Sequence, residues 1–540
     1  MKDISSTGSF IDFTLENFIY VDKTEYIPKL VKLKRVFISR PRRFGKSLTL
    51  DTIATLFETG VEPYFKGTWI YDKWTEPTYP VLRLNFLDLD KYSLEHFKQK
   101  LNAIISSFAR DINVKNYEEK VEPEDTIYFL LDELRKEKRQ IVILIDEYDC
   151  QMTANINNET LYKQFQEKIK SFYATIKNKW PIKFLGITGV TRLKDVEIFS
   201  IGSDINDITN ESAFSQLIGF TRDEIKKYYI DYLKLAASYE NKCRVEEVTD
   251  AQIESMLDMM AQNYDGYCFD EDYEKKVFNT WSVNKFFQTM VGKKKVQFGE
   301  YWYDNGGLPS ILVNYLKTHE LNIFEYLDKD KFLKVSSDDF KNPTALTTIN
   351  QNVLMCQTGY LTLRSDLNKT STVALGIPNG EIYKALNRLL ANNIFKGNTD
   401  ITDDYGRSLL EVGTVDDIIN LFNSALNSVS YDNYPIVSES SVQNMLKLYL
   451  LGAHQKVLSE VHEAKGRADL VVNTDNRRIV FEFKYAKNET EAKSKLLDAV
   501  EQIKTRDYGN IVPNKTELLR IATVFNADPK VRAFTEFQLV

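Results

Sequence analysis

The sequence has few of the residues that stabilise small secreted proteins and zinc-binding modules. Of its 540 residues, only 4 are cysteine and 4 are histidine. The cysteines stand far apart and form no Cys-x-x-Cys pair, at Cys150, Cys243, Cys268 and Cys356. This distribution argues against a disulfide framework or a cysteine-rich zinc site, and it fits a reducing cytoplasm.

Long apolar runs and an excess of basic residues are also missing. The most apolar short run, Ile141–Ile145, has the length of a strand, far below the roughly 18 residues of a membrane span. The first ten residues lack the basic start and apolar core of a secretory signal. The net charge is −7, from 70 Lys and Arg against 77 Asp and Glu, which excludes a uniformly basic nucleic-acid coat. We therefore expect a cytoplasmic protein that does not associate with a membrane.

Glycine and proline are sparse, at 22 and 13 residues, which excludes a collagen-like chain or a disordered chain rich in both. At about 150 residues per domain, the length predicts three or four domains. Three regions differ in pattern: residues 1–235, 236–430 and 431–540. The first alternates β-rich runs with helical periods, the second is mostly helical, and the third has the pattern of a small separate α/β domain.

The β-rich runs of the first region are strongly apolar and are separated by helical periods, which predicts a mostly parallel sheet covered by helices. The predicted strands are Val36–Ser39, Val81–Phe86, Ile141–Ile145 and Ile182–Thr188, and the predicted helices include Leu48–Glu58 and Leu161–Lys177. In the third region the predicted order is helix, strand, strand, helix, strand, at Ser441–Leu451, Ala468–Asn473, Arg478–Lys484, Glu489–Thr505 and Leu518–Phe525.

A basic loop between a strand and a helix has the pattern of a phosphate-binding loop. Residues 36–47 read Val-Phe-Ile-Ser-Arg-Pro-Arg-Arg-Phe-Gly-Lys-Ser, in the strand–loop–helix context that a P-loop requires. Backbone N–H groups at a helix N-terminus would face the phosphates, Lys46 would reach the β- and γ-phosphates, and Ser47 would ligate Mg²⁺. The residues predicted to bind the nucleotide in this loop are Arg42, Arg43, Phe44, Gly45, Lys46 and Ser47.

The loop departs from the consensus because Arg40 stands at the position of its first glycine, and a basic turn that caps a helix would look similar. A second motif favours nucleotide binding. Residues 141–149 read Ile-Val-Ile-Leu-Ile-Asp-Glu-Tyr-Asp, an apolar strand that ends in two acids. Asp146 is predicted to hold Mg²⁺ and Glu147 to polarise the attacking water. A buried strand before a solvated acidic turn is the alternative, but the two motifs together predict ATP and Mg²⁺ as cofactors.

A third strand-like run, Phe184–Arg192, also ends in polar residues. Thr188 and Arg192 are predicted to contact the γ-phosphate from this neighbouring strand. An ordinary transition from strand to loop is the alternative interpretation.

Carboxylates near the C-terminus have the spacing of a metal-dependent nuclease. The segments are Gly466-Arg-Ala-Asp469 and Phe481-Glu-Phe-Lys484. The period of two along a strand places Glu482 and Lys484 on one face, and a hairpin would bring Asp469 beside them. Two carboxylates can bind Mg²⁺, and Lys484 would stabilise the negative charge that develops on a phosphodiester. A solvated strand face with the same residues is the alternative.

Four segments resemble the AAA-ATPase-like family of bacterial and archaeal proteins: Tyr20–Thr24, Arg40–Ser47, Ile145–Asp149 and Ile187–Arg192. The resemblance extends to Tyr264–Phe269, Tyr301–Gly307 and Gln357–Leu361. The family commonly carries a C-terminal PD-(D/E)XK nuclease-like domain, and the segments around Asp469 and Glu482 resemble its signature. Since the arginine-rich loop without the first glycine is usual in this family, Arg40 does not imply a loss of ATP binding.

The resemblance also implies a fold and further site residues. It implies a P-loop NTPase parallel-sheet domain, a mostly helical middle region and a C-terminal restriction-endonuclease-like α/β domain. Gln502 would belong to a catalytic Gln…Tyr helix motif, and Glu439 would be an additional metal ligand. The segment Tyr20–Thr24 would pack beside the nucleotide or order the N-terminus.

The function predicted from these motifs is ATP binding and hydrolysis that gates a metal-dependent nuclease. Nucleic acid is the expected partner, with DNA favoured over RNA, and a homo-oligomer is left open. The alternative is a nucleotide-switched sensor whose nuclease-like domain binds nucleic acid or a partner without cleavage. A toxin-like or defence effector, released by a cellular trigger, is a third hypothesis.

Overall fold

Apolar strands that alternate with helices build the first of two units in a computed structural model of the protein. This first unit comprises Met1–His319 and Phe332–Ile382, and the second comprises Glu320–Lys331 and Tyr383–Val540. The structure describes residues 1–177, 179–192, 204–302, 310–316, 323–343, 345–346, 348–369, 371–395, 404–453, 455–463, 466–506, 508 and 517–540. The predicted division at residues 235 and 430 stays a prediction.

A five-stranded, fully parallel sheet forms the centre of the first unit, in the order β2-β3-β4-β1-β5. Its strands are β1 Arg35–Ser39, β2 Val81–Asn85, β3 Ile141–Asp146, β4 Ile182–Gly189 and β5 Asn206–Asp207. The predicted parallel sheet is therefore confirmed. The strands β1, β4 and β3 are neighbours and run parallel, so their carboxyl ends lie side by side at one edge of the sheet. Proteins of the α/β class bind ligands at this edge.

The helices of the first unit cover this sheet and build a second, helical core. They are α1 Phe10–Leu15, α2 Ile27–Leu33, α3 Lys46–Thr59, α4 Leu94–Asp111, α5 Pro123–Lys136, α6 Cys150–Ala154, α7 Glu159–Ile176, α8 Arg222–Tyr228, α9 Ile230–Asn241, α10 Asp250–Tyr264, α11 Thr280–Lys293, α12 Ser310–Leu316, α13 Ser337–Lys341 and α14 Gln351–Gln357. The helical core packs α8 to α11 around Leu233, Met256, Met260, Phe286 and Phe287.

A small three-stranded sheet completes the first unit, in the order β6-β8-β7. Its strands are β6 Leu333–Ser336, β7 Thr362–Leu363 and β8 Thr372–Gly376. Among the described residues of the region 236–430, more than half are helical, as the sequence predicts.

The second unit contains a mixed five-stranded sheet in the order β13-β12-β11-β10-β9. Its strands are β9 Lys456–Glu463, β10 Gly466–Asn473, β11 Arg477–Ala486, β12 Glu517–Asn526 and β13 Ala533–Leu539. The pair β11–β12 is parallel and the other three pairs are antiparallel. The helices are α15 Gly380–Ile394, which begins in the first unit, α16 Asp404–Val412, α17 Val415–Asn427, α18 Glu439–Gly452 and α19 Glu489–Arg506.

The predicted helix–strand–strand–helix–strand order of the third region is confirmed, but two further strands, β9 and β13, were not predicted. Both β9 and β13 lie at the edges of the sheet. Edge strands carry polar and charged residues, so their patterns resemble those of loops.

Among the helices of the described residues, none combines the length and the apolar character that crossing a membrane requires.

Candidate functional site

The basic loop joins β1 to α3 in the geometry that phosphate binding needs. Gly45 has a φ of 101° and Arg43 a φ of 67°, both in the left-handed region. Such turns direct successive backbone N–H groups to one side and form an anion-binding concavity. The helix α3 begins at Lys46, so its unpaired N-terminal N–H groups add to this concavity.

The two predicted nucleotide motifs meet at the carboxyl edge of the sheet. Ser47 Oγ donates a hydrogen bond to Asp146 Oδ2 at 2.5 Å, and Thr188 Oγ1 donates to the other oxygen of the same carboxylate. A hydroxyl and a carboxylate are hard oxygen ligands of the kind that Mg²⁺ prefers. The arrangement therefore fits a magnesium ion held by Ser47 and Asp146.

The buried ammonium of Lys46 lies between the loop and the end of β3. Its Nζ donates to the carbonyl oxygens of Arg40 and Pro41 at 3.1 and 3.2 Å, and it lies 3.5 Å from Glu147 Oε1. Burial raises the pKa of Glu147, although the nearby Lys46 charge opposes this shift. A carboxylate whose pKa is raised towards neutrality is a suitable general base.

A cavity of about 680 Å³ opens beside these groups, within the usual range for small-molecule sites. All six loop residues from Arg42 to Ser47 line it, together with Glu147. Tyr20, Val21, Lys23 and Thr24 also line it, so the segment Tyr20–Thr24 lies beside the same cavity, and its contact with a nucleotide stays a prediction.

The two residues predicted to contact the γ-phosphate from the neighbouring strand, Thr188 and Arg192, make other contacts. Arg192 Nε pairs with Asp207 at the end of β5, and the Arg192 backbone N–H donates to Gln357 Oε1 at 3.2 Å. Neither Thr188 nor Arg192 lines the cavity. Thr188 contacts the site through its hydrogen bond to Asp146. Arg192 could contact a γ-phosphate only if its side chain left Asp207.

Asp149 is a structural residue of the site to which the sequence analysis assigned no role. Its side chain is 1% exposed and accepts hydrogen bonds from Thr191 N at 2.7 Å, Thr191 Oγ1 at 2.5 Å and Val190 N at 3.3 Å. These bonds tie the residues after β3 to the residues after β4. The available signal was its position as the third acid in Asp146-Glu-Tyr-Asp149.

The C-terminal carboxylates converge in the second unit. The antiparallel register of β10 and β11 pairs Leu470 with Phe481, so Asp469 and Glu482 come next on the two strands. Asp469 Oδ2 accepts a hydrogen bond from Phe483 N at 2.8 Å. Lys484 Nζ donates to Glu482 Oε1 at 2.7 Å, which confirms the shared face of these two residues.

Burial raises the pKa values of the carboxylates in this cluster and so disfavours their charged form. Burial and the nearby Asp469 raise the pKa of Glu482 to about 7, and burial also raises the pKa values of Asp469 and Glu439. Glu482 is fully buried, and its Oε2 has no hydrogen-bond partner among the described residues. A buried carboxylate oxygen without a partner has the chemistry to accept a cation.

Two further predicted site residues, Glu439 and Gln502, come from the helices α18 and α19. Glu439, in the first turn of α18, reaches Lys484 Nζ at 3.8 Å. Gln502 Nε2 donates to the hydroxyl of the buried Tyr508 at 3.3 Å. The predicted Gln…Tyr pair therefore exists as a contact, while a catalytic role for Gln502 stays a prediction.

Within the described ranges, no group of three or more His, Cys, Asp or Glu side chains is placed to hold a metal ion. Among the described residues, a metal at the C-terminal cluster would therefore rest on Asp469 and Glu482. Mg²⁺ commonly binds in this way, through one or two carboxylates with waters and substrate phosphates.

Comparison with protein families assigns both sites to known domain types. Residues 5–199 match the family described as "Predicted AAA-ATPase", and residues 437–534 match the family described as "PD-(D/E)XK nuclease superfamily". The chain carries an AAA-ATPase-like domain and a PD-(D/E)XK nuclease superfamily domain. The AAA-ATPase-like match contains the phosphate loop and Asp146, and the nuclease-superfamily match contains Asp469, Glu482 and Lys484.

A curated relative and two solved structures are also similar to the chain. The relative, "Uncharacterized protein in vnfD 5'region" of Azotobacter chroococcum mcd 1, is 25% identical over 511 residues, 92% of this chain and 90% of its own length. Cdc6p of Pyrobaculum aerophilum has a TM-score of 0.25 at 11% identity, over 68% of this chain and 93% of its own. The ORC1 protein of Aeropyrum pernix, solved in complex with DNA, has a TM-score of 0.26 at 11% identity, over 69% of this chain and 95% of its own. The assignment of an AAA-ATPase-like and a nuclease-superfamily domain rests on the two family matches.

Proposed function

We propose that the protein binds and hydrolyses MgATP at the phosphate loop and cleaves nucleic-acid phosphodiesters at the C-terminal cluster. One observation carries the proposal for each site. In the AAA-ATPase-like domain it is the meeting of Lys46 and Ser47 with Asp146 and Glu147 beside the cavity. In the nuclease-superfamily domain it is the buried set of Asp469, Glu482 and Lys484.

The residues of the first site have distinct roles in this proposal. Loop N–H groups and Lys46 bind the phosphates, while Ser47 and Asp146 hold the magnesium ion. Magnesium supplies positive charge to the β- and γ-phosphate oxygens. Glu147, at the carboxyl edge of the sheet, orients a water and accepts its proton.

The residues of the C-terminal site divide the work of phosphodiester hydrolysis. Asp469 and the unpartnered oxygen of Glu482 would hold a divalent cation, because their buried charges need a counter-ion. The cation supplies positive charge where negative charge develops on the phosphate. Lys484 adds a hydrogen-bond donor at the same place.

Nucleic acid is the proposed partner because such carboxylate–lysine sites act on phosphodiesters. We infer DNA as the first substrate to test and RNA as the second. The four cysteines are free, which supports a cytoplasmic location. Assembly into a homo-oligomer stays a prediction.

We also propose that the nucleotide controls cleavage. The helix α15 begins in the first unit at Gly380 and continues into the second unit, which contains the nuclease-superfamily domain. Its residue Glu381 is buried and accepts hydrogen bonds from Ser282 Oγ and Trp302 N at 2.7 and 2.8 Å, both in the first unit. A rearrangement of the first unit would therefore act on the start of this helix.

Cleavage assays with DNA and RNA, with and without ATP and with Mg²⁺ or Mn²⁺, test the nuclease. We expect metal-dependent cleavage that Lys484→Met abolishes. The matched control is Lys487→Met, an exposed lysine just beyond β11, which should keep wild-type activity. Cleavage that survives in Lys484→Met would show the site assignment to be wrong.

Turnover assays with Glu147→Gln test the ATPase. We expect ATP binding to persist while hydrolysis falls by about 10² or more, the usual contribution of a general base. Glu159→Gln, at an exposed position on α7, serves as the matched control. Unchanged turnover in Glu147→Gln would contradict the role of this residue, and ATP binding without turnover or cleavage by the wild type would favour the sensor function.

A further inference from the structure

Two side chains outside the phosphate loop donate hydrogen bonds to its backbone carbonyls. Trp302 Nε1 donates a hydrogen bond to the Arg42 carbonyl at 3.3 Å, and Thr280 Oγ1 donates to the Arg43 carbonyl at 3.1 Å. The Arg43 guanidinium also stacks over the ring of Trp281 at 4.2 Å. These donors come from the helical part of the first unit, more than 200 residues further along the chain.

The side chains of the loop are packed into the same helical part. Phe44 is 1% exposed and meets the ring of Tyr267 edge-on at a centroid distance of 4.7 Å. Arg40, the residue at the position of the missing glycine, is also 1% exposed, and its guanidinium lies 4.1 Å from the ring of Phe269. Burial lowers the pKa of Arg40 to about 9. Arg40 thus points away from the nucleotide cavity, which it does not line.

The Trp302 donor is itself fixed in place. Its ring is fully buried and contacts Tyr360 edge-on at a centroid distance of 5.2 Å, and its backbone N–H donates to Glu381 at 2.8 Å. Gly359 touches the loop directly, because a Cβ added there would lie 2.8 Å from Pro41 Cβ. Segments near 302 and 360 therefore leave the loop little freedom to shift.

The hydrogen bonds to the two carbonyls determine where the loop N–H groups point. In a trans peptide the C=O of one residue and the N–H of the next point in opposite directions. Since the Arg42 and Arg43 carbonyls face Trp302 and Thr280, the N–H groups of Arg43 and Phe44 point away from these two donors. Arg43, Phe44 and Thr280 all line the cavity. The left-handed φ of Arg43 is maintained by the same contacts.

We propose that Trp302 and Thr280 are positioning residues of the nucleotide site, which hold the peptide units of Arg42 and Arg43 in the conformation that binds phosphate, in a loop that lacks the first glycine of the consensus. This inference rests on the proposed ATP binding. Residues of the mostly helical second region, 236–430, thus support the phosphate loop.

The test measures the dissociation constant for ATP by titration calorimetry on the full chain, together with the melting temperature. Thr280→Val keeps the shape of the side chain but removes the donor, and we expect ATP affinity to fall about three- to tenfold, the loss of one hydrogen bond. Thr280→Ser restores a hydroxyl and should restore affinity. The matched control is Thr175→Val on α7, whose hydroxyl donates to Ser171 O of its own helix.

Trp302→Phe gives a second measurement, since it removes the indole N–H and keeps an aromatic ring against Tyr360. We expect the same loss of ATP affinity in the folded variant. Wild-type affinity in Thr280→Val, or an equal loss in Thr280→Ser or Thr175→Val, would overturn the positioning role while leaving ATP binding intact. A wild-type protein that binds no ATP would instead overturn the proposed function, and the positioning role with it.

Discussion

The hydroxyl of Ser47 donates a hydrogen bond to the Asp146 carboxylate at 2.5 Å, although 99 residues separate the two in the chain. The start of α3 and the end of β3 are brought together because the strands run parallel and β4 lies between β1 and β3. Parallel strands place all their carboxyl ends at one edge, so residues that follow different strands can share one ion. The contact turns two separate sequence motifs into a single site.

Ser47→Ala should weaken the effect of magnesium on ATP binding. The variant removes one of the two oxygen ligands proposed for the ion, so we expect ATP affinity in Mg²⁺ to fall by at least about tenfold. Affinity measured in EDTA should match that of the wild type, because the loop N–H groups are unchanged. An equal response to Mg²⁺ in both proteins would contradict the proposed ligand.

Metal binding at the C-terminal cluster should depend on pH. Burial and Asp469 raise the pKa of Glu482 to about 7, and a metal competes with the proton for this carboxylate. We expect Mn²⁺ affinity to rise with pH by up to about tenfold per unit until about pH 7 and then to level off. Calorimetric titration of the Asp146→Asn variant, which lacks the carboxylate proposed to hold the metal at the first site, with Mn²⁺ and without nucleotide, measures this. An affinity that does not change over this range would contradict the proposed ligand.

The stability of the Glu482→Gln variant relative to the wild type should increase as the pH rises. The pKa of Glu482 is about 7 in the folded chain and 4.5 ordinarily, so between these values the folded state binds more protons than the unfolded state. The unfolding free energy of the wild type therefore falls as pH rises through this window, and Gln removes that penalty.

Urea unfolding in EDTA at about pH 4.5 and about pH 8 measures the effect, since linkage depends on the protons bound in each state. The midpoint of Glu482→Gln should increase relative to the wild type between the two pH values. The matched variant is Glu501→Gln, at an exposed position on α19, which should show no such increase. If the difference in midpoint between wild type and Glu482→Gln is the same at both pH values, the burial of the Glu482 charge has no effect on stability.

Asp149→Asn should destabilise the first unit. The buried carboxylate accepts three hydrogen bonds, two from Thr191 and one from Val190, and an amide would place an N–H₂ group against some of these donors. We expect the unfolding free energy to fall by about 2 kcal/mol, the usual value of a hydrogen bond to a charged group. The exposed Asp125→Asn should change it by about 0.5 kcal/mol or less. Equal denaturation midpoints of Asp149→Asn and Asp125→Asn would contradict this role.

Much of the local structure could be predicted because it depends on neighbouring residues. The runs 141–145 and 182–188 are apolar enough to mark strands that helices cover, and they are found as β3 and β4. The period of two correctly placed Glu482 and Lys484 on one face of β11. The edge strands β9 and β13 were not predicted because they lack the continuous apolar runs of the central strands and carry many polar and charged residues.

The roles of individual residues beyond the motifs could not be predicted from spacing. Gln502 makes the hydrogen bond to Tyr508 that its motif predicts, while its catalytic role stays a prediction. Arg192 was expected at the nucleotide, and it pairs with Asp207. For Arg192 the partner is decided by the packing of other elements, which a linear pattern does not contain.

The sequence by itself determined the central strands, the main helices and the two chemical motifs, because hydrophobic period, helix starts and acidic strand ends are local properties. The tertiary structure alone decided the strand order and the support that Trp302 and Thr280 give to the loop. The physical reason is that a hydrogen bond between residues more than 200 positions apart forms only after both segments have packed on a common core.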